Sequence, residues 1–158
     1  MRLLPFFLAL SAFAGTPELF TAIRTGDTKS VKSQLRDPAR KDAPNPDGLT
    51  PLMYAVMTSN LPVLRAVIAS GANVNAATPD GITALHIAAY DLAKTQLLLA
   101  KGANPNAATK SGITPLLVAA DRPGTASIIK LLLAKSALPE PKSTAESALS
   151  RAARNADV

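Results

Sequence analysis

The sequence predicts an all-α solenoid of stacked short helix pairs, and three observations carry that prediction. Between Asp80 and Asn106 the chain runs through a turn, a helix opening, a second apolar helix and a Gly-Ala-Asn stop, and the same order recurs on either side. Thr50, Thr83, Thr114 and Ser147 hold one place in that order, at spacings of 33, 31 and 33 residues. A fixed period of this length marks a repeat array, whose units bury their apolar faces only against one another. Finally, the apolar content of 47% comes mostly from Ala and Leu, with only 4% aromatic residues. That composition suits closely packed short helices better than a sheet sandwich, which favours β-branched and aromatic residues.

The N-terminus stands outside the repeat. Arg2 precedes an apolar run from Leu3 to Leu10, followed by Ser-Ala-Phe-Ala with small residues at Ala12 and Ala14. A positive start, a short apolar core and a small-residue cleavage site predict a signal peptide over residues 1–14. The run falls short of the ~20 residues that span a bilayer. The mature domain is then 15–158, sent by the general secretory route, since no twin Arg is present. A periplasmic or secreted protein is expected, with no membrane contact after cleavage; the alternative is an N-terminal helix that caps the stack.

The repeats fall at about 17–46, 47–79, 80–110 and 111–143, with a partial copy over 144–158. Thr50, Thr83 and Thr114 are placed as N-caps, and Pro51 and Pro115 take the first helical position, where a missing N–H costs nothing. Leu52, Ala55 and Val56, like Leu85, Ala88 and Ala89, make an apolar i, i+3, i+4 stripe. Gly71 and Gly102 end the second helices where a left-handed residue is wanted, and Asp47-Gly48 and Asp80-Gly81 supply turn chemistry between repeats.

The departures are specific. The third repeat lacks two residues, so Tyr90-Asp91-Leu92 must connect its helices tightly. Met53 and Leu117 stand where His86 does, and Ser136 replaces the terminal glycine at a cost of about 1 kcal/mol if the backbone stays left-handed. Thr144 to Ser147 open a last helix, and Arg24, Lys29, Lys32 and Arg36 with Arg151 and Arg154 give the end repeats a polar outer side.

Several chemistries are excluded or disfavoured. With no cysteine there are no disulfides, thiolate metal sites or cysteine nucleophiles. The formal charge of +6 is spread among acids without a run of five like charges, and stacking aromatics are scarce, so nucleic acid is not an expected partner. The glycines are singletons spaced by the repeat, no nucleophile-elbow or paired-carboxylate motif occurs, and His86 has no second His or Cys for a companion. No catalytic residue, metal ligand or cofactor is assigned. An enzyme on this scaffold would need polar residues clustered at one repeat junction, and none stand out.

The chain resembles the ankyrin repeat family over Pro17 to Val158. The resemblance rests on Thr83-Ala84-Leu85-His86-Ile87-Ala88-Ala89, on Thr50-Pro51-Leu52 and Thr114-Pro115-Leu116, and on Gly71-Ala72-Asn73-Val74-Asn75 and Gly102-Ala103-Asn104-Pro105-Asn106. It implies that His86 hydrogen-bonds locally and ties its helix opening to the neighbouring loop. It also implies a protein-binding module whose partner sits on the concave side. The matching positions are Met57 and Thr58, Tyr90 and Asp91, and Asp121 and Arg122, with Arg24 and Thr25 in the first repeat and Arg154 and Asn155 in the last. At the hairpin tips they are Pro46, Asp47, Pro79, Asp80, Lys110 and Ser111. Tyr90 leads this set, because Tyr is favoured at interface hot spots, whereas Tyr54, in phase with Ile87 and Val118, is expected to pack. A monomer is expected. An effector bound to host proteins and an inhibitor of a periplasmic enzyme or toxin are the alternative roles.

Overall fold

None of the helices is long enough to stand alone, and their arrangement follows from that. A computed structural model of the protein describes residues 17–58 and 60–139. The expected signal peptide, Ser59 and the partial repeat, with Arg154 and Asn155, lie outside the described residues. Eight α-helices occur among the described residues: α1 (Pro17–Thr25), α2 (Thr28–Gln34), α3 (Pro51–Thr58), α4 (Leu61–Ala69), α5 (Ala84–Ala88), α6 (Leu92–Ala100), α7 (Pro115–Ala120) and α8 (Ala126–Ala134). A 3-10 turn, Pro38–Arg40, follows α2. The odd-numbered helices pack in series as an inner layer, and each even-numbered helix lies behind its own partner. The expected all-α solenoid is therefore the observed architecture.

The inner layer is held by one repeated pair of positions. Leu19, Leu52, Leu85 and Leu116 are at most 1% exposed, each contributing roughly 1.5–3 kcal/mol by burial. Ala55, Ala88 and Ala119, buried three residues later, let neighbouring helices approach. Met53 and Leu117, at the His86 position, are also fully buried. Phe20 packs edge-on against Tyr54, ring centroids 5.2 Å apart, which fixes Tyr54 in the stack as expected.

Helix starts follow the threonines. Thr50 and Thr114 each accept the N–H three residues on, from Met53 and Leu117, at 3.3 Å. In the third repeat the histidine takes over: the Nδ1 of His86 accepts the Thr83 N–H at 3.1 Å and lies 2.9 Å from its Oγ1. Nδ1 is thereby the unprotonated nitrogen, and Nε2–H donates to the Ile113 carbonyl of the next repeat at 3.0 Å. His86 thus closes its own helix start and binds it to the following hairpin.

The loops carry the remaining links between repeats. Asn75 Oδ1 accepts the Asn104 N–H at 2.8 Å while its Nδ2 donates to the Gly102 carbonyl at 3.0 Å. Asn106 does the same one repeat on, accepting from Leu138 and donating to the Ser136 carbonyl. At the tips, the Lys110 N–H donates to the Asp80 carbonyl at 2.9 Å. Gly81 lies so close to the next hairpin that a Cβ there would sit 2.9 Å from Thr109 Cα. The shortened third repeat is absorbed by its inner helix: α5 has five residues against eight in α3. Where α5 ends, the Ala88 carbonyl accepts both the Asp91 N–H at 2.8 Å and the buried Thr95 hydroxyl at 2.7 Å.

Gly102 has φ +86° with nothing near its missing side chain, so a substitution there meets backbone strain alone. Gly102→Val should lower stability by about 2 kcal/mol, read as a shift in denaturant midpoint, and an unchanged midpoint contradicts this assignment. Ser136 keeps φ +63°, the one non-glycine residue with positive φ among those described. Ser136→Gly should therefore stabilise by about 1 kcal/mol.

Burial pushes the His86 imidazole below its usual value of 6.5, partly opposed by the Ile113 and Ala107 carbonyls. The unfolded chain then binds the proton more readily, so the stability contributed by neutral His86 is present above about pH 6.5. It is lost as the pH falls from there through the folded-state value. His86→Leu, which copies Leu117, should flatten the slope of melting temperature against pH just below 6.5. An identical slope in both proteins would place the titration elsewhere.

Candidate functional site

An open groove of about 640 Å³ runs along the inner layer between the helices and the hairpins. Val56, Ile87 and Val118, from three successive inner helices, form its floor. Ile82, Thr109 and Ile113, from the hairpins, form one wall, and Met57 and Tyr90 stand on the opposite rim. Among the floor residues Ile87 and Val118 are half-buried and Val56 is buried, with Ala55, Ala88 and Ala119 buried close by on the same helices. Met57 and Tyr90 are 54% and 48% exposed. These are the positions the resemblance singled out.

Tyr90 is fixed from outside the groove. The Arg122 guanidinium carbon lies 4.2 Å from its ring centroid, a cation–π contact that joins two consecutive repeats. Such a contact holds an aromatic ring in place while leaving the guanidinium N–H groups at the rim. The tight connection after α5 leads directly into this arrangement, since Tyr90 sits between the end of α5 and the cap of α6.

Asp91, expected as a contact, lines the groove and also has a structural task. Its carboxylate caps α6, accepting the Lys94 N–H at 3.1 Å, with Lys94 Nζ 3.8 Å away, so it borders the groove as a structural group. Lys94, which the sequence reading did not single out, donates through Nζ to the Val56 carbonyl at 2.7 Å. A cation at the end of α3 complements the helix dipole and ties α6 to the preceding repeat. No motif signals it, because the contact depends on how α6 crosses the end of α3. Ile82 and Ile113 were also missed, although each follows a hairpin glycine at the same repeat position as Leu49.

The other expected positions are dispersed. Thr58, Asp121 and Arg122 are exposed beyond the groove lining. Asp80, Lys110 and Ser111 border an adjoining notch that shares Ile82, Thr109 and Ile113 with the groove, and Lys110 Nζ lies 3.8 Å from Asp80 there. Asp47 and Pro79 are exposed at their tips, Asp47 accepting from Asn45 Nδ2 at 3.2 Å. Thr50, Thr83 and Thr114 stand at helix starts, His86 bonds between repeats, and Gly71 and Gly102 have positive φ.

The arrangement offers apolar surface and fixed shape. His86 reaches the groove, but both ring nitrogens are engaged, and among the described residues no three His, Asp or Glu side chains are grouped to hold a metal ion. No curated relative matches the chain. The family model for ankyrin repeats, in three copies, matches residues 19–109, which contain α2 to α6, all of α1 but its first two residues and most of the groove lining. That match covers more than half of the sequence and agrees with the helix pairing and the Asn-linked loops, so the chain belongs to the ankyrin repeat family.

Proposed function

We propose that this protein is an exported, non-catalytic module that holds a partner protein in its concave groove. Ankyrin repeats are in general protein–protein interaction modules. The observation that carries the reading is the grouping of exposed apolar side chains. Of the six large ones among the described residues, Met57, Ile82 and Tyr90 surround this one groove. Clustered exposed apolar surface of this kind marks an interaction site.

The mechanism is presentation on a rigid frame. The floor belongs to helices locked by the stack and Tyr90 is held by Arg122, so little side-chain freedom is left to lose on binding. Tyr and Arg are, with Trp, the residue types enriched at hot spots. Asp47, Pro79, Asp80, Lys110 and Ser111 extend the contact along the tips, and Thr58 and Asp121 extend it past the rim. Export is supported by the order of charge, apolar run and small residues over residues 1–14; the periplasm or the outside of the cell is the proposed location.

The test is a pull-down from a periplasmic fraction with protein beginning at Gly15, beside the Tyr90→Ala, Arg122→Ala double variant. One protein retained by the first and lost from the second, at unchanged melting temperature, supports the groove. Retention by both proteins moves the contact elsewhere. An intact mass that still includes residues 1–14 in exported material rules out cleavage at Ala14.

A further inference from the structure

Charges that alternate along the sequence are sorted by the fold. The inner helices and hairpin tips carry three cations, Arg24, Lys110 and Arg122, against the four carboxylates Glu18, Asp47, Asp80 and Asp121. The outer helices, their caps and the loops after them carry ten cations against four carboxylates. Helices α2, α4, α6 and α8 contain no acidic residue. The net positive charge of the described residues therefore resides on the layer behind the groove.

The outer carboxylates are already engaged. Asp27 caps α2, Asp37 caps the 3-10 turn and pairs with Arg40, Asp42 accepts the Asn73 N–H, and Asp91 caps α6 and pairs with Lys94. Beyond Arg40 and Lys94, eight outer cations remain, six of them lysines, none in an ion pair among the described residues. Lys32, Arg65 and Lys130 occupy the same exposed position on α2, α4 and α8, with Gln96 at that position on α6. At 8–10 Å between neighbouring helices, this row extends over roughly 30 Å. Arg65 and Lys101 also flank a groove of about 400 Å³ between α4 and α6, with Ile68, Val74 and Leu97 inside it.

We infer that this outer face docks on an anionic phospholipid bilayer surface. A spread of lysines supplies mobile point charges, which suit a laterally fluid field of headgroups better than the fixed carboxylates of an acidic protein. The apolar slot between Arg65 and Lys101 gives the headgroup–acyl boundary a place to enter. Nucleic acid is the weaker fit, because Phe20, Tyr54 and Tyr90, the aromatics among the described residues, all belong to the inner layer and leave no stacking platform here. The association is peripheral: no described helix is long and apolar enough to cross a membrane. It runs against the sequence expectation of no membrane contact after cleavage, and leaves the groove open to its partner.

Vesicle flotation tests the docking. The full chain is mixed with phosphatidylcholine vesicles, with or without a one-third share of phosphatidylglycerol. The ratio of the two partition coefficients is the readout, so any contribution of the apolar N-terminal run common to both cancels. Each cation near an anionic surface is worth about 1 kcal/mol, or roughly fivefold. Lys32→Gln/Arg65→Gln/Lys130→Gln should therefore lower the ratio about 100-fold. The inner triple Arg24→Gln/Lys110→Gln/Arg122→Gln, with the same change in net charge, should lower it far less; circular dichroism melts confirm that both variants are folded. A ratio near one for the unmodified chain, or equal loss in the two triples, overturns the inference. So does tighter binding to a 20-nucleotide DNA or to polyglutamate than to the anionic vesicles at matched salt and charge concentration.

Discussion

An inner helix of five to nine residues cannot pay the cost of its own nucleation in water, since isolated helices shorter than ~12–15 residues are marginal. Contact between repeats is therefore the condition on which every other feature depends. The leucine that recurs once per repeat supplies the apolar burial, and the recurring alanine sets how closely the next helix can come. Around that core, polar links remove the remaining freedom: His86 to the Ile113 carbonyl, Asn75 to Gly102 and Asn104, and Asn106 to Ser136 and Leu138. Each link spans about one repeat, which gives nearest-neighbour coupling.

That coupling is what makes the groove a defined surface. Its floor takes one β-branched residue from each of three consecutive repeats, so it exists only when those repeats are in register. The shortened third repeat then serves two purposes. Ending α5 early brings the Asp91 cap close behind Tyr90 and places the tyrosine ring beneath Arg122 of the next repeat. Lys94, on the helix that starts there, returns to the end of α3. A deletion that looks like degeneration in the linear order thus coincides with two ties between repeats at the groove.

The two faces of the molecule divide its chemistry. The main groove and the three described aromatics belong to the inner layer, and the excess positive charge belongs to the outer one. The repeat itself makes this division, because each unit sends one helix inward and one outward and constrains only the positions that touch a neighbour.

Much of this was fixed by local rules that a linear reading can apply. Thr at the helix start, Pro beside it, Gly at the stop and the Leu–Ala stripe each act through residues at most four apart, so the helix pairs, their order and Tyr54 as a packed residue were legible from the chain alone. Resemblance and repeat phase also picked out Met57 and Tyr90, which are exposed and line the groove. The tertiary structure alone decided the contacts between residues about 30 apart: Arg122 on Tyr90, Lys94 on the Val56 carbonyl, the Asn latches and the close approach of Gly81 to Thr109. It also decided that Asp91 is a cap and that Ile82 and Ile113 wall the groove. Periodicity says which side of a helix is buried, but the partner of an exposed side chain depends on the distance and crossing of the next repeat, and no local pattern encodes that.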